Sequence, residues 1–154
     1  MELKVSHCFI AVHDHPEALA FYRDVLGLEV RNDTKDEGVP WVTVGPKAQP
    51  DVNIVLEPAT ANPNAPPQDK QVMSELLAKG MLRAVIFATD DCDATFEHVC
   101  RAGAEVLQEP MDRGYGVRDC AFRDPSGNIV RFSQKRRHRT GRYTAPHLFS
   151  FIAL

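Results

Sequence analysis

The sequence predicts an α+β fold built from two β-α-β-β-β modules, and three observations carry that prediction. First, residues 5–14 and 81–90 are both short apolar strands ending at an aspartate, and they stand 76 positions apart. Second, Gly27-Leu28-Glu29-Val30 falls on Gly103-Ala104-Glu105-Val106 at the same offset, so strand, helix, glycine stop and next strand recur in order. Third, each half passes from strand alternation to helical apolar spacing and back again. A repeat of this length indicates duplicated modules packed together, with a site where they face one another.

The first strand is expected over residues 3–13. Asp14 then caps a helix, with Pro16 in its first turn and Glu17 three residues after the cap. Leu19, Tyr22 and Leu26, with Ala18 and Val25, form its buried stripe, and Gly27 supplies the left-handed position that ends it. Strands follow near 29–32, 39–44 and 52–57. The second module repeats the order as a strand over 81–89, a helix over 92–102, and strands near 104–108, 116–122 and 129–133. Asp124-Pro125-Ser126-Gly127-Asn128 is a dense turn signal before the last of these. Between the modules, the prolines of 58–67 forbid a regular element, and 68–79 reads as a short helix ended by Gly80. The expected organisation is one domain over 1–134 (modules 1–57 and 81–134, linker 58–80) and a tail over 135–154. Half of this chain would be a marginal fold alone.

Composition narrows the class. A chain of 154 residues buries roughly 68–70% of its unfolded surface, enough for one core without staples. With 44% apolar residues and a formal net charge of −3, there is no overall pull toward nucleic acid or membrane. No apolar run approaches the roughly 20 residues that span a bilayer. Cys8, Cys92, Cys100 and Cys120 lack metal-ligand spacing and read as reduced core thiols of a cytoplasmic protein.

The run Phe21-Tyr22-Arg23-Asp24-Val25-Leu26-Gly27-Leu28, the late Phe122-Arg123-Asp124-Pro125-Ser126-Gly127-Asn128 and the paired modules together resemble the vicinal oxygen chelate superfamily. That group includes glyoxalase I, extradiol dioxygenases, fosfomycin-resistance enzymes and bleomycin-resistance proteins. The resemblance covers about residues 3–134. It implies a curled mixed sheet, a half-open cup with the helices outside, and it is poor for reaction because the scaffold hosts lyases, transferases, oxygenases and binding proteins.

Strand alternation gives the cup's lining. His7, Phe9, Ala11 and His13 share one face of the first strand, and Arg83, Val85, Phe87 and Thr89 the equivalent face in the second module. Asn53, Val55 and Glu57 share a face before the linker, as do Ile129, Arg131 and Ser133 on the last strand. Trp41 and Thr43 join them from the third strand, and Asp119 and Ala121 from its counterpart.

In metal-using members of the resembling family, ligands come from the first and last strands of the modules. Carried over, those positions are His7, Glu57, Arg83 and Arg131. The first two can bind a divalent ion; arginine stays protonated and has no lone pair to donate. No cofactor is therefore expected, with a divalent metal on His7 and Glu57 as the alternative. Two arginines and the aromatic rings of Phe9 and Trp41 suit a small organic molecule carrying a carboxylate, phosphonate or phosphate. Two readings stay open: a ligand site, or an internal ion cluster in which Glu57 lies between Arg83 and Arg131. Enzymatic activity is equally open. The choice lies between a metal-free binding protein and a metal-dependent lyase, transferase or dioxygenase.

His13 reads as a surface or capping histidine beside Asp14, and Tyr115 as a residue of an ordinary hairpin turn that also could cover a ligand. Lys135-Arg136-Arg137-His138-Arg139 is too short a basic run to indicate nucleic acid. Phe149, Phe151 and Ile152 are costly to expose, so the tail is expected to pack on the domain or on a second subunit. The resemblance likewise implies a homodimer.

Overall fold

The computed structural model describes residues 1–36 and 39–136. The first module comprises β1 (His7–Val12), α1 (His15–Leu19) continued by a π-helical segment (Ala20–Val25), β2 (Glu29–Asp36), β3 (Val39–Gly45) and β4 (Asn53–Pro58). A linker helix α2 (Pro67–Ala78) leads to β5 (Arg83–Ala88), α3 (Cys92–Arg101), β6 (Glu105–Asp112), β7 (Val117–Arg123) and β8 (Ile129–Lys135). Each module forms a four-stranded mixed sheet, β1-β4-β3-β2 and β5-β8-β7-β6, with the first strand parallel to the last. This is the predicted α+β architecture of two βαβββ modules.

Both module helices start as the sequence dictates. Asp14 accepts from the Glu17 amide at 2.9 Å and Asp91 from the Ala94 amide at 3.0 Å, each satisfying an amide that the first turn leaves without a helical partner. Alternation places Ile10 and Val12 of β1, Ile54 and Leu56 of β4, and Cys120, Phe122, Val130 and Phe132 of β7 and β8 on the buried side with Ala18, Phe21, Tyr22 and Val99. The second module's core is an aromatic ladder: Phe122 packs against Phe96 at 5.3 Å and Phe132 at 6.2 Å, and Phe132 against Phe87 at 5.9 Å. Burying each ring contributes about 2 kcal/mol.

One turn clamps the modules together. Asp124 accepts from the Ser126 and Asn128 amides, from the Asn128 side chain at 2.9 Å, and from the buried Tyr22 hydroxyl at 2.7 Å. Asn128 also donates to the Ala11 carbonyl at 2.7 Å, and the His13 amide donates to Ser126 Oγ at 3.0 Å. A buried carboxylate satisfied by four donors costs little to hold and fixes β1 against the start of β8. Burial and the neighbouring Asp124 carboxylate push the Tyr22 hydroxyl well above its ordinary pKa, so it remains a donor.

Strand alternation fails where the ladders slip. Between Arg83 and Val85 the pairing with β8 skips a residue, so Arg83 faces with Ile129 while Val85 and Phe87 face inward with Val130 and Phe132. The expectation that Val85 and Phe87 line the cup is thereby corrected: Phe87 stacks in the core, and Ile86 takes the cup-facing position beside Arg131. Two further slips in β6, around Leu107 and around Glu109 and Pro110, let that strand run on to Asp112, four residues past its expected end. A bulge accommodates a proline that a regular ladder would reject. Residues 137–154, with the expectation that Phe149, Phe151 and Ile152 pack on the domain or a second subunit, lie outside the described residues.

Candidate functional site

The helix-free faces of the two sheets make the cup, and the pairing registers say which side chains share each row. In the first module His7 pairs with Asn53, Phe9 with Val55 and Ala11 with Glu57, while Thr43 pairs with Val55 from the other side. Phe9 and Trp41 meet edge to face at 6.3 Å, and Phe9 is 55% exposed. In the second module Arg131 pairs with Ile86 and Ala121, and Asp119 with Ser133 and Met111.

The cup face of the second module carries a polar cluster around Asp119, whose side chain is only 2% exposed. Asp119 accepts from Arg113 Nε at 2.8 Å, from Arg131 Nη1 at 2.9 Å and from Gln108 Nε2 at 2.8 Å. Gln108 Oε1 accepts in turn from Arg131 Nη1 at 2.9 Å and from Arg113 Nη2. Burial alone would raise the Asp119 carboxyl, but the Gln108 and Arg113 hydrogen bonds and the charges of Arg131 and Arg113 prevail and hold it below its ordinary range. The same three charges act on the Tyr115 hydroxyl, which burial first and Asp119 next push upward. Tyr115 therefore borders this cluster on the turn between β6 and β7.

Of the residues the sequence proposes, the structure joins Arg131 to Asp119 and Phe9 to Trp41, and keeps His7 and Glu57 apart. Those two lie on neighbouring strands but four residues out of step, about 13 Å along the sheet. Their side chains stand roughly perpendicular to the sheet and do not converge. The carboxylate that neutralises Arg131 is Asp119, in place of Glu57. The register also shows why: Arg83 pairs with Ile129 as His7 pairs with Asn53, so the first-module counterpart of Arg131 is Val55. Glu57 is offset from that position by two residues. The four positions that would surround an ion are thus His7, Val55, Arg83 and Arg131, which offer one donor. Among the described residues, no group of three His, Cys, Asp or Glu side chains is placed to hold a metal. This donor set does not fit a divalent ion.

Arg113 and Gln108 complete the cluster and are not singled out as site residues by sequence reasoning. Gln108 sits between two ladder slips, so alternation cannot assign its face. His13 lies away from the cup, lining a groove of about 490 Å³ with Glu17, Phe21, Arg123 and the 124–127 turn.

Residues 4–132 match the profile of the Glyoxalase/Bleomycin resistance protein/Dioxygenase superfamily, and the chain belongs to that superfamily. It is similar to the crystal structure of UcmS2, at 35% identity and TM-score 0.79, covering 86% of this chain and 98% of that one. It is also similar to TnmS3, an antibiotic-binding protein from Streptomyces sp. CB03234, at 28% identity and TM-score 0.68, covering 87% and 97%. A curated relative, the uncharacterised YurT of Bacillus subtilis (strain 168), is 28% identical over 134 residues, 86% of this chain and all of that one.

Proposed function

We propose that the protein binds a small organic molecule in its cup without a catalytic metal, acting as a cytoplasmic homodimer. The observation that carries this reading is the edge-to-face pair of Phe9 and Trp41 on the helix-free face of the first sheet, with Phe9 exposed and Trp41 half-buried. Covering the exposed half of Phe9 with a flat apolar body stabilises a complex by about 2 kcal/mol. The likeness to an antibiotic-binding protein supports a ligand of that size, and the donor set around Val55, Arg83 and Arg131 supports binding without an ion. Ile86, 65% exposed, and Met111 leave apolar surface on the cup side that a second copy would cover, which supports the dimer. All four cysteines are free, in keeping with a reducing compartment.

Trp41 is the chain's single tryptophan, so its fluorescence reports the cup directly. Titration with a panel of non-fluorescent polycyclic aromatic compounds should quench it saturably, and Phe9→Ala should weaken that binding about tenfold. Absence of saturable quenching across the panel would remove the reading.

A further inference from the structure

We propose that Arg113 and Arg131, held by Asp119 and Gln108, form the cup's anion subsite and select a planar, singly charged oxygen group such as a carboxylate or an acidic enolate. This inference rests on the cup being a small-molecule site.

Two guanidinium groups face one carboxylate, so the cluster keeps one positive charge while Asp119 is almost wholly buried. One negative charge on a ligand completes the balance, since the nearby Arg83 is solvent-exposed and its charge is screened. A second, as on a phosphate dianion, would lie uncompensated beside the Asp119 carboxylate in a partly desolvated site.

The bonds to Asp119 and Gln108 use Nε and Nη2 of Arg113 and Nη1 of Arg131. Each guanidinium has five donors in a rigid plane, so these bonds orient the plane and leave further N–H groups on each arginine. The Arg113 and Arg131 side chains remain 27% and 24% exposed on the cup face. A planar two-oxygen group matches such a fork through paired hydrogen bonds. Gln108 fixes the arrangement: its carbonyl accepts from both arginines, which forces its amide toward Asp119. The cluster is therefore organised before a ligand arrives, which spares binding the entropy of ordering two long side chains.

Arg118 provides the contrast. It lies one residue before Asp119, on the opposite face of β7, where it is engaged by Asp93 at 2.7 Å and Asp112 at 3.2 Å. Two carboxylates already neutralise it, so it offers no charge to a ligand.

The test is calorimetric titration of the full chain with 2-naphthoate, its neutral isostere 2-naphthamide, and the dianion 2-naphthyl phosphate. The expected result is naphthoate binding about tenfold more tightly than either of the others. Arg131→Gln and Arg113→Gln, each of which leaves Asp119 one arginine partner, should abolish the preference for naphthoate and change naphthamide affinity less than twofold. Arg118→Gln should leave all three affinities unchanged. Equal binding of naphthoate and naphthamide by the unmodified protein, or a preference that survives both cluster substitutions, would overturn the anion subsite while leaving the cup reading intact. Tightest binding of the phosphate would overturn its monoanion selectivity. Binding of none of the three, with Trp41 still quenched saturably by members of the polycyclic panel, would overturn the anion subsite and leave the cup reading intact; loss of that quenching as well would remove both.

Discussion

The two modules share a fold and differ in what they show the cup. Val55 in the first corresponds to Arg131 in the second, and stepping two residues along the neighbouring strand sets Trp41 against Asp119. One face centres on the Phe9–Trp41 pair and Val55 among the separate polar residues His7, Thr43 and Glu57, and the other on a charged network of Gln108, Arg113, Asp119 and Arg131. Their helix sides match, with an aspartate cap on each helix, Asp14 and Asp91, the second one residue past the 76-residue offset after the slip in β5, and buried strand residues beneath. Duplication has preserved what folds each module and released what faces the cup, which therefore holds two unlike halves.

Substitutions separate the two faces. The largest effect is expected at Asp119: Asp119→Ala leaves two arginines without their carboxylate and should cost about 3 kcal/mol of unfolding free energy, measured by urea denaturation. Trp41→Ala at the corresponding position should cost about 1 kcal/mol, since that ring is half-buried and serves no ion pair. Equal costs would mean that the charged face is not more structural than the aromatic one. Next is Tyr22→Phe, which removes one of four donors to Asp124 in the turn joining the modules. It should cost about 1.5 kcal/mol by the same measurement. Smaller still, Asp14→Ala and Asp91→Ala should each cost about 1 kcal/mol, and equally, because the caps are the conserved part of the duplication.

Acid provides an independent probe of the charged face. Asp119 is held below its ordinary value of 3.8 in the folded protein. A lowered folded pKa contributes stability that is fully present above the unfolded value and is lost as pH falls through the folded one. The melting-temperature gap between the unmodified protein and Asp119→Asn should therefore be constant near neutrality and close below pH about 4. A gap that widens on acidification would contradict the ion-pair account.

Much of this was legible in the sequence because it depends on local chemistry. The Asp14 cap, the Gly27 stop and the alternation of His7, Phe9 and Ala11 against Ile10 and Val12 need only neighbouring residues to be read. What escaped depends on pairing. The slip after Arg83 turned Phe87 inward, and the slips around Leu107 and Pro110 concealed Gln108. Carried over from the resembling family as the module-end position, Glu57 stands as the counterpart of Arg131, whereas the ladder equates Arg131 with Val55. A shift of two residues keeps the face and changes the neighbours, so alternation alone cannot detect it. Arg113 lies outside any strand, where alternation has no meaning.

Metal content measured together with affinity decides whether the cup binds an organic molecule without an ion. The protein should be dialysed against chelator, then incubated separately with zinc, nickel and manganese, and assayed for bound metal and for quenching of Trp41 by an aromatic compound from the panel. Substoichiometric metal is expected in every case, with the same dissociation constant before and after loading. One equivalent of metal that disappears in His7→Ala, with ligand binding only in the loaded protein, would contradict metal-free binding.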